Sequence, residues 1–501
     1  MRRGLVITLV LVAVGATVIA GVGAAAVWTW HRAALDTTDR IEFTRPLAVP
    51  PLAESELDDQ GRRVFQLTAR AGTHDFGPHT SPTWGFNGDY LGPTLRARRG
   101  EQVLVRVTNQ LPETTTVHWH GMHLPATMDG GPHQPVPPGD SWSPTWRIDQ
   151  PAATLWYHPH PHGATEKHVL RGLAGMFILD DDASSQLPLP RRYGVDDIPV
   201  IVQDLHFDRG GRLSPRKLWS SPVGHLGDTI AVNGVVAPYL DVTTERVRLR
   251  LLNASSARIY QFGFADGREF ALVGTDGGLL PAPVSTTQIR LSPGERAEIV
   301  VTMRPGERVV LRSSPPDLGV SAPIRRFVGG DDRLDVLELR AAPTLAPSPE
   351  LPAQLAEVPL VPVADAVATR DFRLADLKIN GQPMDMTRID LTATAGTVER
   401  WRVRAVDGLP HNFHAHGVSF QVLSVNGHPP GPELGGWQDT VYLPPEQLVE
   451  LAVQFGHHTD PAAPYMYHCH LLSHEDSGMM GQFVVVAPGE VAQPPAAPGH
   501  R

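Results

Sequence analysis

Residues 467–480 read Tyr467-His468-Cys469-His470-Leu471-Leu472-Ser473-His474-Glu475-Asp476-Ser477-Gly478-Met479-Met480. They contain the only cysteine of the chain, with three histidines and a methionine close around it. Such a density of soft and borderline donors is expected of a metal site rather than of a structural element. In extended chain alternate side chains point to opposite faces, so His468 and His470 share one face and Cys469 takes the other. One tripeptide can then serve two metal centres, with its own backbone as the covalent link between them.

Working outward, three more clusters carry the same His-x-His spacing: His118-Trp119-His120, His158-Pro159-His160 and His411-Asn412-Phe413-His414-Ala415-His416. One such pair alone is more often a solvated strand face. Four of them, two toward each end of a long chain and one around a unique cysteine, call for a common explanation. Four pairs offer eight imidazoles, enough for two ions with three each and one with two. That leaves His411 to join His474 at the cysteine. A zinc site needs only four ligands and gives no role to a methionine after the histidine. A thiolate, imidazoles and an axial thioether are the donor set of a blue-copper electron-transfer site, so copper is the expected metal. His123, His133, His162, His168, His457 and His458 fall outside the pairing and read as surface or supporting residues.

The strands leading to these clusters repeat. Asn87-Gly88 precedes Gln102-Val103-Leu104-Val105-Arg106-Val107-Thr108-Asn109, Asn233-Gly234 precedes Arg246-Val247-Arg248-Leu249-Arg250-Leu251-Leu252-Asn253, and Asn380-Gly381 precedes Val398-Glu399-Arg400-Trp401-Arg402-Val403-Arg404. A histidine motif follows in the first and third copies; the middle one has Arg258-Ile259-Tyr260 instead. Alternating apolar residues broken by frequent turns predict antiparallel sandwiches, and 48 prolines with 47 glycines suit that reading. The 501 residues divide into an N-terminal segment 1–30, a tether 31–56, β-domains 57–190 and 191–340, a Pro/Ala-rich linker 341–365, a third β-domain 366–487 and a tail 488–501.

Arg2 and Arg3 precede an uncharged apolar run from Leu5 to Trp30, longer than a signal-peptide core. It predicts an N-terminal hydrophobic helix acting as membrane anchor or signal, with the body extracytoplasmic, periplasmic or at the cell surface. One cysteine precludes an intrachain disulfide. A net charge of −10 gives no footprint for nucleic acid, and no glycine-rich nucleotide motif is present. A monomer is expected.

These motifs, with Thr83-Trp84-Gly85-Phe86-Asn87-Gly88, Asp129-Gly130-Gly131-Pro132, Asp149-Gln150-Pro151-Ala152-Ala153-Thr154 and Gly436-Trp437-Gln438-Asp439-Thr440, resemble the multicopper oxidases, and within them the bacterial copper-efflux oxidase and laccase group. The resemblance runs from about Thr83 to Val486. It implies an all-β chain of three cupredoxin-like Greek-key β-sandwich domains holding four copper ions. By it, Cys469, His411 and His474 bind the type-1 copper with Met479 axial, and His118 and His414 the type-2 copper. His120, His158 and His470 bind one type-3 copper, and His160, His416 and His468 the other. Asp129 and Glu475 match acids that deliver protons, and Asp407 is placed to hold the His411 ring. The complete ligand set sets the chain apart from copper-free cell-division relatives of the same fold. The implied partners are dioxygen and a small reducing substrate. Copper-efflux oxidases carry a methionine-rich insertion before the third domain. Here the corresponding region, about Val367 to Lys378, has no methionine, and Leu409 stands where that group has one. The expectation is therefore laccase-like oxidation of phenols or aromatic amines, with a cuprous or ferrous oxidase and a non-catalytic envelope protein as alternatives.

Overall fold

The computed structural model describes residues 29–215 and 221–495, together with residues 21, 23 and 27. Most of the apolar run Leu5–Trp30 lies outside the described residues; among the described residues no helix is long and apolar enough to cross a membrane.

Among the described residues, strands gather into six sheets, two per domain. In the first domain one sheet is built on the long strands Arg63–Asp75 and Gln102–Asn109, and the facing one orders Leu95–Arg98, Gly175–Asp180, Ala153–His158 and His118–His120. The middle domain spans Asp197–Leu205 to Leu334–Ala346 in sheets of six and seven strands, and the last domain pairs two five-stranded sheets between Ala368–Ala375 and Met480–Val486. Each sandwich closes over its own apolar core. Phe65, Trp119, Trp146 and Phe177 fill the first; Val200, Leu249, Phe262 and Leu337 lie in the second; Trp401, Phe413, Leu451 and Phe483 lie in the third.

The three Asn-Gly turns do the same work in all three domains, which makes the repeat structural. Asn87, Asn233 and Asn380 all adopt positive φ, a region that asparagine tolerates better than most residues. Each side chain then laces its turn to a neighbouring strand. Asn87 Oδ1 accepts from Thr68 N and its amide donates to Gln66 O. Asn233 does the same with Ile201 N and Pro199 O, and Asn380 with Arg373 N and Asp371 O. Where the outer domains carry histidines, the middle domain carries Arg258, buried and paired with Asp204 and Asp332.

Two connecting segments are more ordered than their composition predicts. The expected tether is docked on the middle domain: Leu35 N donates to Asp332 Oδ1 at 2.7 Å, and Arg45–Pro46 forms a parallel strand with Pro238–Thr244. The expected linker begins as strand, since Leu334–Ala346 runs past position 341, and further on Val361 N donates to Gln421 Oε1 of the last domain at 2.9 Å. Proline and alanine mislead here: Arg45–Pro46 is an edge strand, which tolerates proline, and Pro343 of Leu334–Ala346 falls at a break in the register between Ala341 and Ala346.

Candidate metal centres

Register, rather than loop geometry, aligns the histidines. His118 sits opposite His158 across the first domain's inner sheet, with Trp156 opposite His120. His414 sits opposite His468 in the last domain. Strand alternation then sends each His-x-His pair out of one face, and the two faces meet at the seam between the outer domains. All eight imidazoles are buried there. The Nε2 atoms of His160 and His416 each lie 3.2 Å from His468 Nε2. The rings of His120, His158 and His470 form a triangle with centroids 5.0–5.6 Å apart. His118 and His414 face each other at 5.9 Å.

Six of the eight rings are oriented by a hydrogen bond to a carbonyl or carboxylate, His160 and His470 being the exceptions. His118 Nδ1 donates to Asp129 O at 3.0 Å, and His414 Nδ1 to Asp439 O at 2.8 Å. His158 Nδ1 donates to Pro159 O at 2.9 Å. His120 turns the other way, giving Nε2 to Asp439 Oδ1 at 3.0 Å. What remains is a set of buried nitrogens with no hydrogen-bond partner: Nε2 of His118, His158 and His414, Nδ1 of His120, and both nitrogens of His470. A buried, unpaired ring nitrogen costs free energy unless something else occupies its lone pair. Burial also pushes the His120, His158, His160, His414, His416 and His468 rings well below the ordinary imidazole range, and His470 down to about 3. Neutral imidazoles are the form that binds metal.

On the far side of the Cys469 strand lies the second centre. Cys469 Sγ stands 3.5 Å from His411 Nδ1 and 3.7 Å from His474 Nδ1, and those two nitrogens are 3.2 Å apart. Both Nε2 atoms point away: His411 Nε2 donates to the Asp407 carboxylate at 3.1 Å, and His474 Nε2 to Pro222 O at 2.9 Å. Met479 is fully buried, and its carbonyl accepts from Cys469 N at 3.2 Å. Burial alone would push the Cys469 thiol up, but the His411 and His474 rings beside it take it down to about 6. His411 is raised to about 9: burial opposes this, and the Cys469 sulfur and Asp407 prevail.

The acids expected at the cluster are both there. Asp129 Oδ2 accepts from His416 Nδ1 at 2.7 Å. A side chain at Gly130, where φ is +77°, would collide with Val117 O, so glycine is what lets this loop close against the His118 strand. Glu475 lies 3.5 Å from His160 Nδ1 and 3.3 Å from His468 Nδ1, with neither carboxylate oxygen hydrogen-bonded. Burial, helped by neighbouring Asp476, holds its carboxyl well above the usual range. Among the histidines left out of the pairing, His162 is exposed, while His123, His133 and His168 are hydrogen-bonded to Ser419, Gln482 and Glu113.

Four supporting residues were given no role by the reading of the sequence, although Asp439 lies in a stretch that carries the family resemblance. Asn412 Oδ1 accepts from His470 N at 2.6 Å and lies 3.7 Å from Cys469 Sγ; its amide donates to Ser292 Oγ and Pro293 O of the middle domain. Asp439, beside His120, is bidentate with Arg296 of the middle domain at 2.7 Å, and Arg296 also contacts Asp276. Asn412 lies inside a histidine motif and offered that much signal. Arg296 and Asp276 lie in the copy without histidines and offered none.

Three sandwiches, with a thiol–imidazole cup in the last and a ring of imidazole nitrogens free or facing only each other at the seam of the outer two, form a set of candidate metal sites. The donor set fits copper on softness and on the unpaired nitrogens alike. Models of the multicopper oxidase family match residues 68–184, 221–309 and 357–489. A laccase from Pediococcus acidilactici Pa5930 superposes with a TM-score of 0.81 at 34% identity, covering 90% of this chain and 95% of that one. A laccase-like multi-copper oxidase, CueO, from Ochrobactrum sp. superposes at 0.80 with 35% identity, covering 88% and 100%. The cell division protein FtsP of Salmonella typhimurium is 40% identical over 448 residues, 88% of this chain and 93% of its own. The chain belongs to the multicopper oxidase family.

Proposed function

We propose that this chain is a laccase-like oxidase. It takes electrons singly from a phenol or aromatic amine at the Cys469 site and uses four of them to reduce one dioxygen to water at the eight-histidine cluster. In this reading His411, Cys469, His474 and Met479 hold the type-1 ion. His118 and His414 hold the type-2 ion, His120, His158 and His470 one type-3 ion, and His160, His416 and His468 the other. One observation carries the proposal: every cluster imidazole keeps a buried ring nitrogen that is free or faces only another imidazole.

Copper held in these sites supplies reversible one-electron chemistry at both ends of the His468-Cys469-His470 tripeptide. The protein's own groups do the rest. Asp407 fixes the His411 tautomer so that Nδ1 faces the sulfur. Asn412 holds the His470 backbone beside Cys469, keeping the link between the sites rigid. Reducing dioxygen consumes protons, and Glu475, whose carboxyl burial holds well above the usual range, stands next to two of these rings to supply them. Asp129 orients His416.

The test is oxygen uptake by the copper-loaded chain with a phenolic donor and with Cu(I) in parallel. Fast uptake with the phenol, lost in Cys469→Ser while the seam copper stays bound, is the expected result. Uptake with Cu(I) alone would replace the donor class with a cuprous one. A second reading, a non-catalytic envelope role, draws on the 40% identity to FtsP; a copper-loaded chain without blue absorption and without uptake would favour it.

A further inference from the structure

A second group of imidazoles lies outside the eight-histidine cluster, where the first and last domains meet again. His457 and His458 follow the strand Leu448–Gln454 of the last domain, and Asp149 follows the strand Thr145–Arg147 of the first. All three line one cavity of about 400 Å³, and His123 of the first domain lines it as well. Neighbouring side chains diverge in extended chain. Here the chain bends at His457, and the two adjacent rings come together with centroids 4.2 Å apart. The Asp149 carboxylate reaches them from the other domain, its Oδ2 standing 3.5 Å from His457 Nε2.

These donors are not committed elsewhere. Among the described residues neither the His457 nor the His458 ring makes a hydrogen bond. Asp149 also pairs with Arg147 at 3.7 Å, but that side chain is 66% exposed, and such pairs hold weakly. The side chains of His457 and Asp149 are 70% and 44% exposed, so both can turn between rotamers to close on an ion. Burial, helped by the His457 ring, lowers His458 from the ordinary imidazole range, which leaves it neutral and able to bind metal at pH 7. His123 differs from the other two rings. Its Nε2 is engaged with Ser419 Oγ at 2.9 Å and its backbone N donates to Gln150 Oε1 at 2.7 Å, so it stands as a fixed wall of the cavity. Two imidazoles and a carboxylate suit zinc or copper(II), whereas magnesium and calcium prefer oxygen alone and Cu(I) prefers sulfur.

We propose that Asp149, His457 and His458 bind a further divalent transition-metal ion, zinc or copper(II), and that this ion clamps the first domain to the last. Its donors are distinct from every residue assigned above to the cluster and to the Cys469 site, and it stands independently of the oxidase reading. The exposed His457 and Asp149 side chains place the ion at the mouth of the cavity, where water completes its shell. Since the carboxylate comes from one domain and the imidazoles from the other, the ion binds the assembled pair better than either domain apart and so stabilises their contact.

The test counts zinc on the full chain after dialysis against a zinc buffer at micromolar free ion. Zinc can also enter the cluster and the Cys469 site, so only the difference between native chain and variant is read. The native chain is expected to hold one zinc more than His457→Ala/His458→Ala, and His428→Ala, at an exposed histidine outside the cavity, is expected to match the native count. Equal counts in the native chain and the double variant overturn the site, and so does an equal loss in His428→Ala. Should the double variant melt early without metal, His457→Ala alone decides, since that side chain lies mostly in solvent. Asp149→Asn is expected to raise the dissociation constant of this ion at least tenfold and to remove the part of the zinc-induced rise in melting temperature that the double variant also lacks. Native affinity in Asp149→Asn overturns the clamp, because the ion would then sit on the histidine pair of one domain. A chain that takes up no oxygen with any donor would overturn the oxidase reading and leave these counts unchanged.

Discussion

Glu475 and Asn412 show how single side chains act on the cluster without being metal ligands. Burial, with neighbouring Asp476, holds the Glu475 carboxyl well above the usual range. Glu475→Gln keeps its shape but has no acid proton to yield. Oxygen uptake is expected to fall about 100-fold, with copper content per chain unchanged; an undiminished rate would move the proton source elsewhere. Asn412 works by geometry, bridging the His470 backbone and the middle domain. Asn412→Ala leaves buried groups unpaired on both sides, and urea unfolding is expected to show a loss of about 1–3 kcal/mol.

Among the elements, strands were the legible part and their mutual contacts were not. The His-x-His spacing read correctly as rings on a common face, because alternation is a covalent property of extended chain. The Asn-Gly repeat read correctly too, since it marks a backbone conformation. Which nitrogen of each ring faces inward was not legible: His120 is turned by Asp439, 319 positions away, and only folding brings them together. The docking of segment 31–56 was equally hidden, because its partners are middle-domain groups such as Asp332. The same holds for the contact between the first two domains. There Thr154 Oγ1 donates to Glu298 Oε1 at 2.5 Å, and Arg248 and Arg250 pair with that carboxylate. Burial alone would raise Glu298, but the two guanidiniums carry it down to about 2. Its ionised form therefore adds stability above the ordinary carboxylate range and loses it as pH falls through about 2. Glu298→Gln is expected to cost about 3–5 kcal/mol at pH 7, by stranding buried guanidinium charge. In melts taken from pH 5 downward the gap between variant and native chain should narrow; a gap constant to pH 2 would contradict the ion-pair account.

At the scale of the whole molecule the outer domains supply the imidazoles and the thiol, and the middle one supplies alignment through Arg296, Ser292 and Pro293. Copper held by rings from both outer domains would favour the closed seam over the unfolded chain, so loading should raise the melting temperature of the seam. An excess of 100-fold over the dissociation constant contributes about 2.7 kcal/mol per site. Scanning calorimetry should find most of that increase retained in Cys469→Ser, where the eight imidazoles remain. The division of ligands also sets a clock. His160 and His468 meet across 308 positions, and a chain made from its N-terminus folds its first domain before the last exists. Until residues 468–470 are in place, each outer sheet carries an incomplete set of rings with no facing partner. A chain that ends before residue 468 cannot close the seam, so any metal held from both outer domains can enter only after the polypeptide is complete.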